Sequence, residues 1–247
     1  MSAEVNNLQV IQHPNVVKFV KFVRPNALVM EFIDGMTLTA RLEEAGTELE
    51  EEEAEWVMRG LLRGLSALHE KKIIHRDIKP DNIMLRGGDH PSDCGRVVIV
   101  DLGISRQENP EKNHTQAWTF LGTVEYASPE QTVGGAPVLG IDVWAAGVVY
   151  FEMREGRRPF QRGAAPDNDQ DVQLMETIRN AVVPVSPSIV ESFEVFPDLD
   201  SSQIFGVPST KPAPCLSTFL GLACRLWWPK NIRILSTCQR ASTRPPM

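Results

Sequence analysis

The chain has 247 residues, of which 42% are hydrophobic, and a formal net charge of −7. This length is sufficient for one domain with its own hydrophobic core. The acidic balance argues against nucleic acid or an anionic membrane surface as the main partner. The four cysteines form no CxxC pair and have no histidine at metal-ligand spacing, so we expect reduced thiols in an intracellular, cytoplasmic protein.

Helix-like and strand-like patterns follow one another in the first seventy residues. Apolar positions at helical spacing predict a helix over residues 4–12, and β-like runs at 16–23 and 27–33 flank a turn-prone segment. Residues 47–50 have the form of a capping box, which predicts that a long helix begins there and extends to His69. Its predicted buried face consists of four leucines, Leu61, Leu62, Leu65 and Leu68.

Further buried elements are predicted later in the chain. Residues 96–100 form a short continuous apolar run, which indicates a buried strand with Asp101 at its end. Residues 143–153 are typical of a buried helix. The late apolar stretch 216–228 is too short to span a bilayer, so we expect no membrane partner. Beyond about residue 184 proline, serine and threonine become frequent and periodicity fades.

The most informative segment is residues 75–82, which read His-Arg-Asp-Ile-Lys-Pro-Asp-Asn. This loop contains what phosphoryl transfer to a hydroxyl requires: Asp77 can accept the hydroxyl proton, Lys79 can neutralise the γ-phosphate, and Asn82 can ligate magnesium. Asp-Leu-Gly at 101–103 and Ser-Pro-Glu at 128–130 follow at fitting distances. With these motifs the chain resembles the eukaryotic-type protein kinase family, over roughly residues 4–160.

The resemblance implies an α+β, protein kinase-like fold with a mainly helical large lobe and an incomplete small β lobe. Residues 1–33 would be a remnant of the small lobe, starting at its helix αC, and residues 34–184 the large lobe. Residues 185–247 form a divergent C-terminal segment rich in proline, serine and threonine.

Residues 28–35 resemble the strand and hinge with which the family binds adenine. The backbone carbonyl of Glu31 and the amide of Ile33 would bind the base edge, Thr37 would contact the ribose, and Met84 would form the floor under the purine. The cofactors implied are ATP and Mg²⁺. Asp101 is the metal aspartate by resemblance and would hold Mg²⁺ together with Asn82.

Regulatory residues are also implied by the resemblance. Glu4 lies nine residues before His13, at the position of the ion-pairing glutamate of helix αC. Thr119 is at the position usually phosphorylated in the activation loop, and a phosphate there could bind Arg76. The alternative for Glu4 is an ordinary exposed glutamate, and for Thr119 a plain loop threonine.

Thr123 resembles the threonine that contacts the catalytic aspartate and lysine in serine/threonine-directed kinases. Asp142 resembles the aspartate that holds the backbone of the catalytic loop, and Glu130 is expected to pair with a late arginine. The resemblance therefore implies a serine/threonine protein kinase that transfers the γ-phosphoryl group of ATP to a protein substrate.

No part of the sequence resembles the family's glycine-rich loop or the strand lysine that would partner Glu4. We therefore expect an N-terminally truncated catalytic domain with uncertain activity of its own. The alternative is a catalytically impaired, pseudokinase-like binding or scaffold module that uses the fold without catalysis. An unrelated globular protein with chance motifs is a third and much weaker interpretation.

Overall fold

The structure is a computed structural model that describes residues 11–23, 27–87, 96–102, 106–107, 123–133, 138–162 and 167–180. Most of the helix predicted over residues 4–12 and the whole C-terminal segment 185–247 lie outside the described residues. The described part combines helices with small antiparallel sheets, which confirms the α+β prediction.

Within the described ranges, seven short strands form three small sheets. Strand β1 (Phe19–Val23) pairs with β2 (Ala27–Met30) in an antiparallel ribbon. A three-stranded antiparallel sheet has the order β3 (Gly35–Thr37), β5 (Ile83–Arg86), β6 (Val97–Ile99). Strands β4 (Ile73–Ile74) and β7 (Arg106–Gln107) form the third sheet. The predicted strands 16–23, 27–33 and 96–100 thus exist in shortened form.

Five α-helices complete the described fold. They are α1 (Leu38–Ala45), α2 (Glu51–Glu70), α3 (Pro129–Thr132), α4 (Gly140–Glu155) and α5 (Asp167–Asn180), with single 3₁₀ turns at Pro80–Asn82 and Val124–Tyr126. Helix α4 matches the helix predicted over residues 143–153, whereas α1, α3 and α5 were not predicted. None of the helices within the described ranges is long and apolar enough to cross a membrane.

Helix α2 lies at the centre of the core and packs against both α4 and β6. The four leucines predicted for its buried face, Leu61, Leu62, Leu65 and Leu68, are all 0% exposed. Gly64 lies on the same helix, and a Cβ there would overlap the carbonyl oxygen of Asn15 and the Ile99 side chain. The close approach that glycine allows brings β6 against the helix.

The start predicted for α2 is wrong, because the helix begins at Glu51 and not at the proposed capping box 47–50. Thr47 instead follows Gly46, the C-cap of α1, and takes part in this cap: its φ is +96° and its N–H donates to the carbonyl of Leu42 at 2.8 Å. The N–H of Leu49 is bound by the carbonyl of Met153 at 2.7 Å. The local bond from Thr47 to Leu42 and the tertiary bond from Leu49 to Met153 take the place of the predicted cap. The acidic residues Glu51, Glu52 and Glu53 still occupy the first turn of α2.

Candidate active site

The loop 75–79, between β4 and the 3₁₀ turn Pro80–Asn82, is held in place by a buried carboxylate of α4. Asp142 accepts hydrogen bonds from the backbone N–H groups of His75 and Arg76, both at 2.8 Å. It also contacts His69 Nε2 at 2.8 Å, and both side chains are fully buried. Arg76 has a φ of +75°, a strained conformation for a residue with a side chain. The prediction that Asp142 holds this loop is confirmed.

The side chains of Asp77, Lys79 and Thr123 contact one another in a closed triangle. Lys79 Nζ lies 2.9 Å from Asp77 Oδ2 and donates to Thr123 Oγ1 at 3.0 Å. The Thr123 hydroxyl donates to Asp77 Oδ1 at 3.1 Å. Asn82 Nδ2 donates to both the backbone carbonyl and Oδ2 of Asp77, at 2.8 and 3.0 Å. The predicted contacts of Thr123 are therefore present.

The electrostatic surroundings keep Asp77 ionised. Burial raises its pKa, but the hydrogen bond and charge of Lys79, then the bonds from Thr123 and Asn82, outweigh burial and leave the pKa below its usual range. A carboxylate whose pKa is lowered is ionised at neutral pH, so it can orient a hydroxyl and accept its proton.

The pairing of β5 with β6 places the backbones of Asn82 and Asp101 near each other. The N–H of Val100 donates to the carbonyl of Asn82 at 3.0 Å, so Asp101 directly follows the residue paired with Asn82. Asp101 is exposed and has a φ of +62°. His75 fixes the same strand end, since its Nε2 contacts the Val100 carbonyl at 3.0 Å.

The donor set fits magnesium bound with phosphates. Mg²⁺ favours one or two protein oxygen ligands plus phosphate oxygens and water, which one carboxylate and one carboxamide can supply. Within the described ranges no cluster of three or more His, Cys, Asp or Glu residues could hold a metal ion. A metal at Asn82 and Asp101 would therefore depend on oxygen atoms from its substrate.

The four residues predicted to bind the nucleotide lie on β3, β5 and the segment 31–35 that joins β2 to β3. Met84 is half-buried and pairs with Thr37 in the β3–β5 register. Thr37 Oγ1 accepts the N–H of Ala40 at 3.1 Å and so caps α1. Ile33 is buried, and Glu31 is half-buried. Contacts of these residues with adenine and ribose remain predictions.

Glu4 and Thr119 lie outside the described residues, so their predicted regulatory contacts remain predictions. The expected pairing of Glu130 with a late arginine is also untested, because the C-terminal segment is outside the described ranges. Burial raises the pKa of Glu130.

Sequence reasoning missed an ionic network beside Thr123. Glu125 Oε1 lies 3.4 Å from Arg158 and 3.4 Å from Arg162, and Tyr126 donates a 2.6 Å hydrogen bond to Glu152. Burial, followed by the bond to Glu152, raises the pKa of Tyr126, and burial raises that of Glu152. These partners lie far apart in the chain, and no short motif marks them.

A family model described as the protein kinase domain matches residues 1–206. The probable serine/threonine-protein kinase PknB of Lactococcus lactis is 34% identical over 158 residues, 63% of this chain and 24% of that protein. The probable serine/threonine-protein kinase PknB of Bifidobacterium longum is 37% identical over 167 residues, 67% of this chain and 23% of that protein. The serine/threonine-protein kinase PrkC of Bacillus subtilis is 34% identical over 166 residues, 66% of this chain and 24% of that protein.

This chain therefore spans about a quarter of the length of these curated relatives. The family match extends beyond the residues 4–160 over which the motifs were recognised.

Proposed function

The chain belongs to the serine/threonine protein kinase family, and from this membership we propose that it transfers the γ-phosphoryl group of ATP to a serine or threonine hydroxyl of a protein substrate. The triangle of Asp77, Lys79 and Thr123 is the observation that carries the proposal. The contact between the Asp77 carboxylate and the Lys79 ammonium, in the loop held by Asp142, supports the roles proposed for the two residues. Nothing in the comparisons favours the scaffold interpretation.

In the proposed reaction the substrate hydroxyl oxygen forms a bond to the γ-phosphorus. The bond from that phosphorus to the β,γ-bridging oxygen breaks, and ADP leaves. Asp77 orients the hydroxyl and takes its proton, while Lys79 lies against the negative charge of the transferring group. The protein thus contributes positioning and electrostatic stabilisation rather than covalent chemistry.

Magnesium, when bound, would neutralise charge on the phosphates and the leaving oxygen. Asn82 and Asp101 are the residues proposed to hold it, and the pairing of Val100 with Asn82 supports their adjacency. Glu31, Ile33, Thr37 and Met84 are proposed to bind the adenosine half of ATP.

Selectivity for serine and threonine is supported by Thr123, whose hydroxyl joins Asp77 to Lys79. We further propose an intracellular, cytoplasmic location. The four cysteines are scattered and form no CxxC pair, which supports reduced thiols.

The test is transfer of labelled γ-phosphate from ATP to a generic basic protein in the presence of magnesium. Phosphoamino acid analysis should give phosphoserine and phosphothreonine. Asp77→Asn protein serves as the negative control. Absence of transfer by the unaltered chain, or a product containing only phosphotyrosine, would contradict the proposal.

A further inference from the structure

Arg86, at the end of β5, contacts both ends of the segment 31–35. Its backbone pairs with Gly35 in the β3–β5 register, and its side-chain Nη2 lies 2.8 Å from Glu31 Oε1. Both side chains are mostly buried, with 31% of Arg86 and 25% of Glu31 exposed. Arg86 therefore links the first and last residues of the segment 31–35, which connects β2 to β3.

Glu31, at the first end of this segment, is also hydrogen-bonded to Lys18, the residue before β1. Glu31 Oε1 accepts the N–H of Lys18 at 2.9 Å, and the N–H of Glu31 donates to the Lys18 carbonyl at 2.9 Å. The same carboxylate oxygen thus joins the ribbon to β5. Because three hydrogen bonds converge on Glu31, its own backbone carbonyl has little freedom to turn.

The other end of the segment, at Asp34 and Gly35, is fixed by backbone contacts. The N–H of Gly87 donates to the Asp34 carbonyl at 2.7 Å, and Arg96 Nε donates to the Arg86 carbonyl at 2.7 Å. A Cβ on Gly35 would overlap the carbonyl oxygen of Leu85, so the close approach of β3 to β5 at this position requires a glycine. The main chain of Arg86 is consequently a firm base for its side chain.

Arg86 also faces the same side of β5 as Met84. Side chains alternate along a strand; Ile83 and Leu85 are buried, and Met84 and Arg86 are half-buried on the opposite side. Met84 is the residue proposed to lie under the purine. Arg86 therefore lies two residues after Met84 in β5, on the face of the strand where the base is proposed to bind.

We propose that Arg86 is a positioning residue for the adenine base, acting through Glu31. Its ion pair holds the segment 31–35 closed, so that the Glu31 carbonyl and the Ile33 amide are presented together to the base edge. This inference rests on the proposed function, since it assigns a role within the same nucleotide site. It differs from a merely structural role by predicting an effect on the base and none on the phosphates.

The experiment uses adenosine, which lacks phosphates and so reports on the base site alone. Arg86→Leu and Glu31→Gln should each weaken adenosine binding by about threefold to tenfold. Glutamine keeps an oxygen for the Lys18 N–H but carries no negative charge, so Glu31→Gln mainly weakens the charged pairing with Arg86. In the double variant the two effects should not add, because both act on one interaction. KM for ATP should rise by a similar factor while kcat stays unchanged.

Two further variants separate positioning from stability. Arg86→Lys keeps a cation and should remain within about threefold of the unaltered adenosine affinity. Arg41→Leu is the matched control, because Arg41 is also 31% exposed and its Nε and Nη2 each donate to Glu53 at 2.8 Å, but this pair joins α1 to α2. It should lower stability without changing adenosine binding.

The outcomes discriminate between the two proposals. Unchanged adenosine affinity in Arg86→Leu and Glu31→Gln, or fully additive effects, would overturn the inference and leave the kinase proposal standing. A fall in kcat without a change in KM would also overturn it. An unaltered chain that neither binds adenosine nor transfers phosphate would refute the kinase proposal and this inference together.

Discussion

The carboxylate of Asp142 accepts the backbone N–H of Arg76 at 2.8 Å, across 66 positions of sequence. Arg76 is held at a φ of +75°, which costs a residue with a side chain about 1 kcal/mol or more. The hydrogen bond stabilises this conformation and so orients the next residue, Asp77. Helix α4 thereby sets the geometry of the loop that carries the proposed catalytic residue.

Asp142→Ala should lower the free energy of unfolding by about 2–4 kcal/mol, because it leaves the N–H groups of His75 and Arg76 buried without their acceptor. Urea denaturation followed by circular dichroism measures the change. Asp171→Ala is the control, since that aspartate is half exposed in an ion pair with Arg162. Equal stability of the Asp142→Ala and unaltered proteins would contradict the anchoring role.

Asp77→Asn should lower kcat by about 10²–10⁴-fold with little change in ATP affinity, because proton acceptance matters only in the transition state. Steady-state phosphate transfer and ATP titration measure the two quantities separately. Asp81→Asn, the same change at an exposed aspartate of the adjoining 3₁₀ turn, should leave kcat within about twofold. An Asp77→Asn enzyme as fast as its parent would remove the assignment of the base.

Lys79→Met should raise the pKa of Asp77, because burial then acts against weaker compensation from Thr123 and Asn82. In the unaltered protein the folded pKa is depressed. Ionised Asp77 therefore contributes stability above its unfolded pKa, and this contribution is lost as pH falls through the folded pKa. Lys79→Met should shrink this acid-side loss.

Carboxyl ¹³C NMR titration of Asp77 measures the pKa directly. Lys71→Met, at an exposed lysine, is the control and should leave the titration unchanged. If the pKa of Asp77 is the same in Lys79→Met as in the unaltered protein, Lys79 does not stabilise the ionised form of Asp77.

Asp101→Ala should weaken the magnesium dependence of ATP binding, because it removes the only carboxylate of the proposed ligand pair. ATP titrations with and without magnesium test this. Adenosine provides an internal control: it carries no phosphate, so its affinity should be the same in both proteins. Unaltered magnesium dependence in the variant would exclude Asp101 as a ligand.

Thr119 should be phosphorylated, and the phosphate should act through Arg76. A phosphate there could add one to three charge-assisted hydrogen bonds. Mass spectrometry of protein from cells tests the modification. In a double-mutant cycle the effects of Thr119→Ala and Arg76→Ala on kcat should not add, while Thr115→Ala in the same segment should have no effect. Simple additivity would count against the coupling.

The sequence alone determined the chemistry of the catalytic loop and the buried elements around it. Residues 75–82 and the strand that precedes Asp101 could be identified because short motifs and local periodicity reflect contacts between near neighbours. The leucine face of α2 was predicted for the same reason: helical spacing places its residues on one side, and all four are buried.

Only the tertiary structure decided which distant groups meet. The ion pair between Glu31 and Arg86 joins residues 55 positions apart, and no local pattern distinguishes Arg86 from other half-buried strand residues. The beginning of α2 was likewise decided at long range, since the hydrogen bond from Leu49 to Met153 prevails over a cap that the sequence offers locally. A local signal states which contacts are available; the packing of the whole chain determines which of them are made, because a cap worth about 1 kcal/mol is easily outweighed by burial.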